Sequence, residues 1–239
     1  MEEFLCERRA TISFRDGNIF RKYYKYSGKE DVLLEQEFSR LAQENGINCP
    51  TFLAWDYSNK KNMFYSEFDF IEIEPINRHT VTKTVVQEAL DQLKRMPYCN
   101  DLTIKRDKPY EKDLISVVSY LPIEIHSEYS RLVEWLLSRK SEVMIHGDYS
   151  FENIGWDIKN KSVIIFDFQN SGYGVKGWDR AYLLSTIPNF SIASSFLIPD
   201  NLIPDNDVIK IITALKYGRA IRKNYEVEER KKIYEYWWK

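Results

Sequence analysis

The chain has 239 residues, of which 44% are hydrophobic and 29% charged, with a formal net charge of −2. That length suits one large or two small domains with a real apolar core, and the near-neutral balance offers no field for nucleic acid or an anionic membrane. Cys6, Cys49 and Cys99 are scattered without metal spacing, the start lacks the apolar core of a secretory signal, and no stretch reaches membrane-spanning length, so a reduced, cytoplasmic protein is expected.

Residues 10–15 form the first strand that the pattern supports, after nine residues without glycine. Asp16-Gly17-Asn18 reads as a hairpin turn and 19–26 as the returning strand. Arg21, Lys22 and Lys25 lie on it, and alternation sends Lys22 and Lys25 to opposite faces. Residues 30–45 read as a helix, with Val32, Leu33, Leu34, Phe38, Leu41 and Ala42 on a broad apolar stripe and Gly46 beyond its end. Two alternating, aromatic-rich strands follow at 51–57 and 63–73, around a turn at 58–62. From Glu74-Pro75 the pattern becomes helical. One helix covers 80–96 and stops at Pro97; another covers 127–140, where Arg139-Lys140 suits the negative end of the helix dipole. His79 and His126 read as isolated surface residues in polar loops.

The stretch 143–167 is the most informative. An apolar strand leads into His146-Gly147-Asp148; Asn153, a short strand, a polar turn at 157–161 and a β-branched run at 163–166 follow, ending at Asp167. If the two strands pair as an antiparallel hairpin, Asn153 and Asp167 face each other at its open end, with Asp148 five residues upstream of Asn153. One amide oxygen and two carboxylates then converge. Mg²⁺ takes hard oxygen ligands, few of them from protein when phosphates and water supply the rest. Read singly, each residue is better explained as a turn or cap residue; the ordered set points to phosphoryl transfer. Residues 178–187 form a helix up to Pro188. An irregular connection at 188–206, with Pro188, Pro199 and Pro204, flanks a substrate cleft, and helices at 207–225 and 227–238 close the chain. Asp179 is expected to cap its helix and anchor the loop around Asp148.

H-G-D-x-x-x-x-N at 146–153, followed by an apolar strand and Asp167-Phe168, resembles the catalytic and metal-binding segments of the aminoglycoside phosphotransferase and choline kinase superfamily. Residues 174–183, GVKGWDRAYL, are similar to its G-x-x-x-[WY]-D-[LR]-A segment. Protein kinases carry H-R-D, D-F-G and A-P-E; here Gly147 replaces the Arg, Gln169 replaces the Gly, and A-P-E is missing, which points away from protein substrates. The resemblance implies a two-lobed α+β protein-kinase-like fold. A nucleotide-binding lobe at 1–72 would hold a small antiparallel sheet and one helix. A mainly helical catalytic and substrate-binding lobe would occupy 73–239.

The same resemblance implies an activity: phosphorylation of a small-molecule hydroxyl by ATP or GTP with Mg²⁺. Asp148 would accept the hydroxyl proton, Asn153 and Asp167 would hold the metal, and His146 would steady the loop. Lys22 would touch the phosphates, held by Glu37, which precedes Leu41 as in the family's E-x-x-x-L; Lys25 with Glu35 is the competing register. Glu67-Phe68-Asp69 would cross between lobes, where backbone groups bind the purine. The glycine-free start implies a phosphate cover reduced to something like Glu7-Arg8, and keeps open a catalytically degenerate regulatory or binding protein.

The acceptor stays open among an amino sugar, a choline-like alcohol and an antibiotic. Asp167-Phe168-Gln169 is similar to the D-F-Q of amino-sugar kinases. Six acids against nine Lys or Arg in 201–239 do not favour a polycation. Tyr225, Tyr234, Tyr236, Trp237 and Trp238 could stack on a sugar, enclose a quaternary amine or simply pack a helix.

Overall fold

The structure is a computed structural model and describes residues 2–7, 11–26, 28–76, 80–98, 106–187, 190–197 and 205–238. The chain divides into two compact units, Met1–Ile76 with Thr84–Pro97 and Glu152–Ser171, and Asn77–Lys83 with Tyr98–Phe151 and Gly172–Lys239.

In the first unit, β1 (Glu3–Glu7), β2 (Thr11–Asp16), β3 (Ile19–Tyr24), β4 (Phe52–Ser58) and β5 (Met63–Asp69) form an antiparallel sheet in the order β1-β2-β3-β5-β4. The β2–β3 hairpin turns where Asp16-Gly17-Asn18 predicts, and Gly17 takes φ +61°. The edge strand β1 is not anticipated by the sequence. Every residue of it is exposed, so it shows no alternating burial, and it is fixed by pairing with β2 and by Phe4 set edge-on to Phe14 at 5.8 Å. The sheet thus has a strand ahead of the first one expected. Arg8, named as a remnant phosphate cover, lies outside the described residues.

Helix α1 (Lys29–Glu44) buries Val32, Glu35, Phe38, Ser39, Leu41 and Ala42. The strand expected over 63–73 breaks in two, because β5 ends at Asp69 and β6 (Ile73–Pro75) joins a different sheet, β6-β8-β9, with β8 (Ile154–Asp157) and β9 (Ser162–Ile165). The helical region therefore does not begin at Glu74-Pro75. β6 lies close enough to β8 that a Cβ on Gly155 would meet Ile73 Cδ1 at 3.0 Å. The expected β8–β9 hairpin forms, with Ile154 opposite Ile165. The buried Asp157 carboxylate sets its turn by accepting the Lys159 and Asn160 backbone N–H groups at 2.9 and 3.0 Å. Helix α2 (Lys83–Leu93) is shorter than the 80–96 expected.

The second unit carries α3 (Glu111–Ser116), β7 (Val143–Ile145) paired with β10 (Gly172–Gly174), and α4 (His126–Ser138), α5 (Trp178–Thr186), α6 (Phe190–Ser194), α7 (Asp205–Lys223) and α8 (Val227–Trp238). α6 falls in the stretch expected to be irregular; Pro188, Pro199 and Pro204 lie outside the described residues, as does His79. His126 is not a loose surface residue: it opens α4, half-buried, with Nε2 2.9 Å from the Leu121 carbonyl. The terminal aromatics are partly spent on packing. Tyr234 is buried and stacked on Tyr217 at 4.9 Å, and the Trp238 indole N–H donates to the Lys210 carbonyl at 2.9 Å. Tyr225 and Tyr236 remain exposed.

Candidate active site

Alternation along β3 puts Lys22 and Tyr24 on the same face, where both are buried. Lys22 Nζ donates to both oxygens of Glu35 at 2.9 and 3.0 Å and to Asp167 Oδ1 at 2.7 Å. Burial alone would pull the ammonium below its ordinary value, but Asp167 and Glu35 together hold it above that value. Burial pushes the Glu35 carboxyl up, against the pull of Lys22.

The partner of Lys22 is thus Glu35 and not Glu37. Glu35 sits within the buried row Val32, Phe38, Ser39 and Ala42. Glu37, two residues on, is rotated by roughly 200° around the helix and pairs with Arg40 at 2.8 Å. The competing pairing of Lys25 with Glu35 does not form either: Lys25, one residue beyond the end of β3, meets Glu7.

Asn153 and Asp167 are brought to one end of the β8–β9 hairpin, where the Asn153 carbonyl accepts the Phe166 N–H at 3.1 Å. Asn153 is buried, while the Asp167 side chain keeps 28% exposure. Asp167 adopts φ +70°, a left-handed conformation in which Asp is among the few residues at ease. A cavity of about 500 Å³ opens beside it, lined by Lys22, Glu35, Asp167 and Phe68 among others. Residues 67–69 do not form the crossing. They are held in β5 opposite Arg21, Phe20 and Ile19, and Glu67 receives Arg21 Nε at 2.8 Å. Phe68 and Asp69 line the cavity, followed by Phe70, Ile71 and Glu72, which leave the sheet.

An amide oxygen and a carboxylate at one hairpin end are the hard donors that Mg²⁺ takes. Among the described residues no group of three or more His, Cys, Asp or Glu is placed to hold a metal unaided. Two hard oxygen donors are compatible with an ion whose remaining shell comes from phosphates and water.

In the second unit, β7 runs into His146-Gly147-Asp148. Gly147 takes φ +81°, which explains the absence of a Cβ there. His146 is fully buried, and its Nδ1 faces the Asp148 N–H at 3.4 Å. Asp179 anchors this turn from α5: its buried carboxylate accepts the His146 N–H at 2.6 Å and the Gly147 N–H at 3.0 Å. It does not cap its own helix, whose N-cap is Gly177. Burial pushes the Asp179 carboxyl up to about 6.

Two residues at Asp148 escape the sequence reading. Tyr182, one turn beyond Asp179 on α5, donates its phenol to the Asp148 carboxylate, and burial together with that negative charge raises its pKa well above the ordinary value. Arg219 of α7 is held above its own ordinary value, against burial, by Tyr182 and Asp113. Lys216 Nζ lies 4.1 Å over the Tyr182 ring. The i, i+3 spacing of Asp179 and Tyr182 is the signal that could have found the first of them.

Residues 15–194 match the profile of the phosphotransferase enzyme family (APH), and the chain belongs to that family. No curated protein sequence matches the chain. Among solved structures it is similar to the amicoumacin kinase hAmiN, in complex with AMP-PNP, Ca²⁺ and Ami, at 13% identity over 99% of this chain and 86% of the other, with a TM-score of 0.73. It is similar to a choline/ethanolamine kinase family protein from Mesorhizobium loti at 15% identity, 99% and 85% coverage and TM-score 0.70. The GDP complex of aminoglycoside 2'-phosphotransferase-IIIa matches at 12% identity, 99% and 92% coverage and TM-score 0.70. At such identities the likeness fixes the fold, which is α+β and protein-kinase-like.

Proposed function

Taking membership of the phosphotransferase enzyme family as the premise, we propose that this protein transfers the γ-phosphoryl group of ATP or GTP to a hydroxyl of a small molecule in the cytoplasm. The observation that carries the reading is the Lys22–Glu35–Asp167 cluster on the wall of the cavity. A buried ammonium held by two carboxylates beside an apolar space of this size suits the phosphates of a nucleotide whose base enters the rest. Lys22 binds and orients the phosphates. Asn153 and Asp167 would hold Mg²⁺, which supplies neutralisation of charge on the phosphate oxygens when bound. Asp148 accepts the acceptor's hydroxyl proton, and the acceptor oxygen bonds to the γ-phosphorus as the bond to the nucleoside diphosphate breaks. The Tyr182 hydroxyl and the turn fixed by Asp179 hold Asp148 in place.

Acceptors are sought among amino sugars, choline-like alcohols and antibiotics, the last two in line with the names of the similar structures. The cations around Tyr182 weigh against a polycation. Release of nucleoside diphosphate, with Mg²⁺ and either ATP or GTP, tests the reading across such a panel. Turnover stimulated by one class and lost in Asp148→Asn supports it. Silence across the panel, without nucleotide protection against thermal unfolding, overturns it in favour of a non-catalytic member of the family.

A further inference from the structure

Burying an ion pair as completely as Lys22–Glu35 requires that the remaining lone pairs and protons be satisfied. Glu35 is 1% exposed and Lys22 6%. Beyond Lys22, the carboxylate receives the hydroxyl of Tyr24, and that hydroxyl also meets Ser66 Oγ. A tyrosine has one O–H to give. With that proton committed to Glu35, the phenol oxygen accepts from Ser66, so the chain of donors runs Ser66 to Tyr24 to Glu35. Ser66 is fully buried and stands directly opposite Lys22 in the β3–β5 register. Lys22 Nζ lies 5.0 Å over the Tyr24 ring, so one side chain acts on both halves of the pair.

We infer that Tyr24 and Ser66 are positioning residues for the phosphate-binding lysine: their hydroxyls fix Glu35, which holds Lys22 between itself and Asp167. This rests on the nucleotide reading of the cavity. Lys22 has two anionic partners at similar distance, 2.9 Å to Glu35 and 2.7 Å to Asp167. If Glu35 loses its other donor, the balance tips and the ammonium moves onto Asp167, away from where both serve the phosphates.

The test separates phosphate binding from binding of the rest of the nucleotide. Dissociation constants are measured on the full chain for Mg²⁺-nucleoside triphosphate and for the matching nucleoside, which carries no phosphate. Tyr24→Phe keeps the ring and removes only the hydroxyl. It is expected to weaken the triphosphate about tenfold, the low end for losing a partner behind a ligand, and to leave the nucleoside unchanged. Ser66→Ala shifts the triphosphate in the same direction by less, and carries the test if Tyr24→Phe fails to fold in a thermal melt. In a Lys22→Met background, Tyr24→Phe adds no further loss. Equal triphosphate affinity in both hydroxyl variants and the unaltered chain overturns the inference, as does equal weakening of nucleoside and triphosphate, the mark of a merely loosened fold. If the unaltered chain binds neither, the nucleotide reading itself falls and the inference with it.

Discussion

Replacing Asp179 by Asn removes the charge from a carboxylate that is 5% exposed and accepts the backbone N–H groups of His146 and Gly147. Burial raises its pKa from 3.8 to about 6. The unfolded chain releases this proton near 3.8 and the folded chain near 6, so between those values the native state binds more protons and stability falls as pH rises. The contribution is fully present below the lower value, declines through the upper one and then levels off. At 1.36 kcal/mol per unit its ceiling is about 3 kcal/mol, and about 2 kcal/mol of that lies between pH 4.5 and 7.5. Urea unfolding of the unaltered chain and Asp179→Asn at several pH values in that range reads it directly, because taking the difference cancels groups common to both. The advantage of the aspartate should shrink by about 2 kcal/mol as pH rises. A flat difference refutes the raised pKa, and a difference that grows with pH means that the two N–H bonds outweigh burial.

Asp148→Asn should lower transfer by roughly two to four orders of magnitude while triphosphate affinity, read by fluorescence titration, stays unchanged. Glu35→Gln should weaken triphosphate binding and destabilise the fold by about 3 kcal/mol, because Lys22 loses a buried partner. Glu37→Gln, off the buried row of α1, should stay within about 0.5 kcal/mol in the same denaturation assay. Gly147→Ala forces a Cβ into a left-handed conformation and should cost about 1 to 2 kcal/mol in thermal unfolding. Chelating Mg²⁺ should abolish nucleotide protection in the same melt, and adding it back should restore it.

The parts of the fold that the sequence discloses are those where one residue's neighbours in the chain set its environment. The β2–β3 turn at Gly17, the Ile154–Ile165 hairpin and most of the stripe of α1 are local patterns that form, although Leu33, expected on that stripe, is exposed and Leu34 only half-buried. Elements without a burial pattern of their own, or with a distant partner, are silent. β1 is exposed throughout and is a strand only because β2 accepts it. β6 follows β5 within four residues in sequence, yet its ladder is with β8, some eighty residues away. The first has no alternation to read, and the partner of the second is not written beside it.

The site divides in the same way. His146, Gly147, Asp148, Asn153 and Asp167 stand out because their order and spacing are unusual, but the choice between Glu35 and Glu37 turns on the rotation of a helix. The apolar stripe held the answer. An acid that interrupts a row of buried residues, as Glu35 does between Val32 and Phe38, must be paired, since a lone buried carboxylate would be neutral or would unfold the helix packing. Glu37 breaks no such row and is free to serve Arg40. Where two acids compete for one lysine, burial on the helix face is therefore a stronger guide than distance from a motif's leucine. The same rule selects Tyr24, a buried phenol two residues beyond a buried lysine, as the side chain that must find a polar partner of its own.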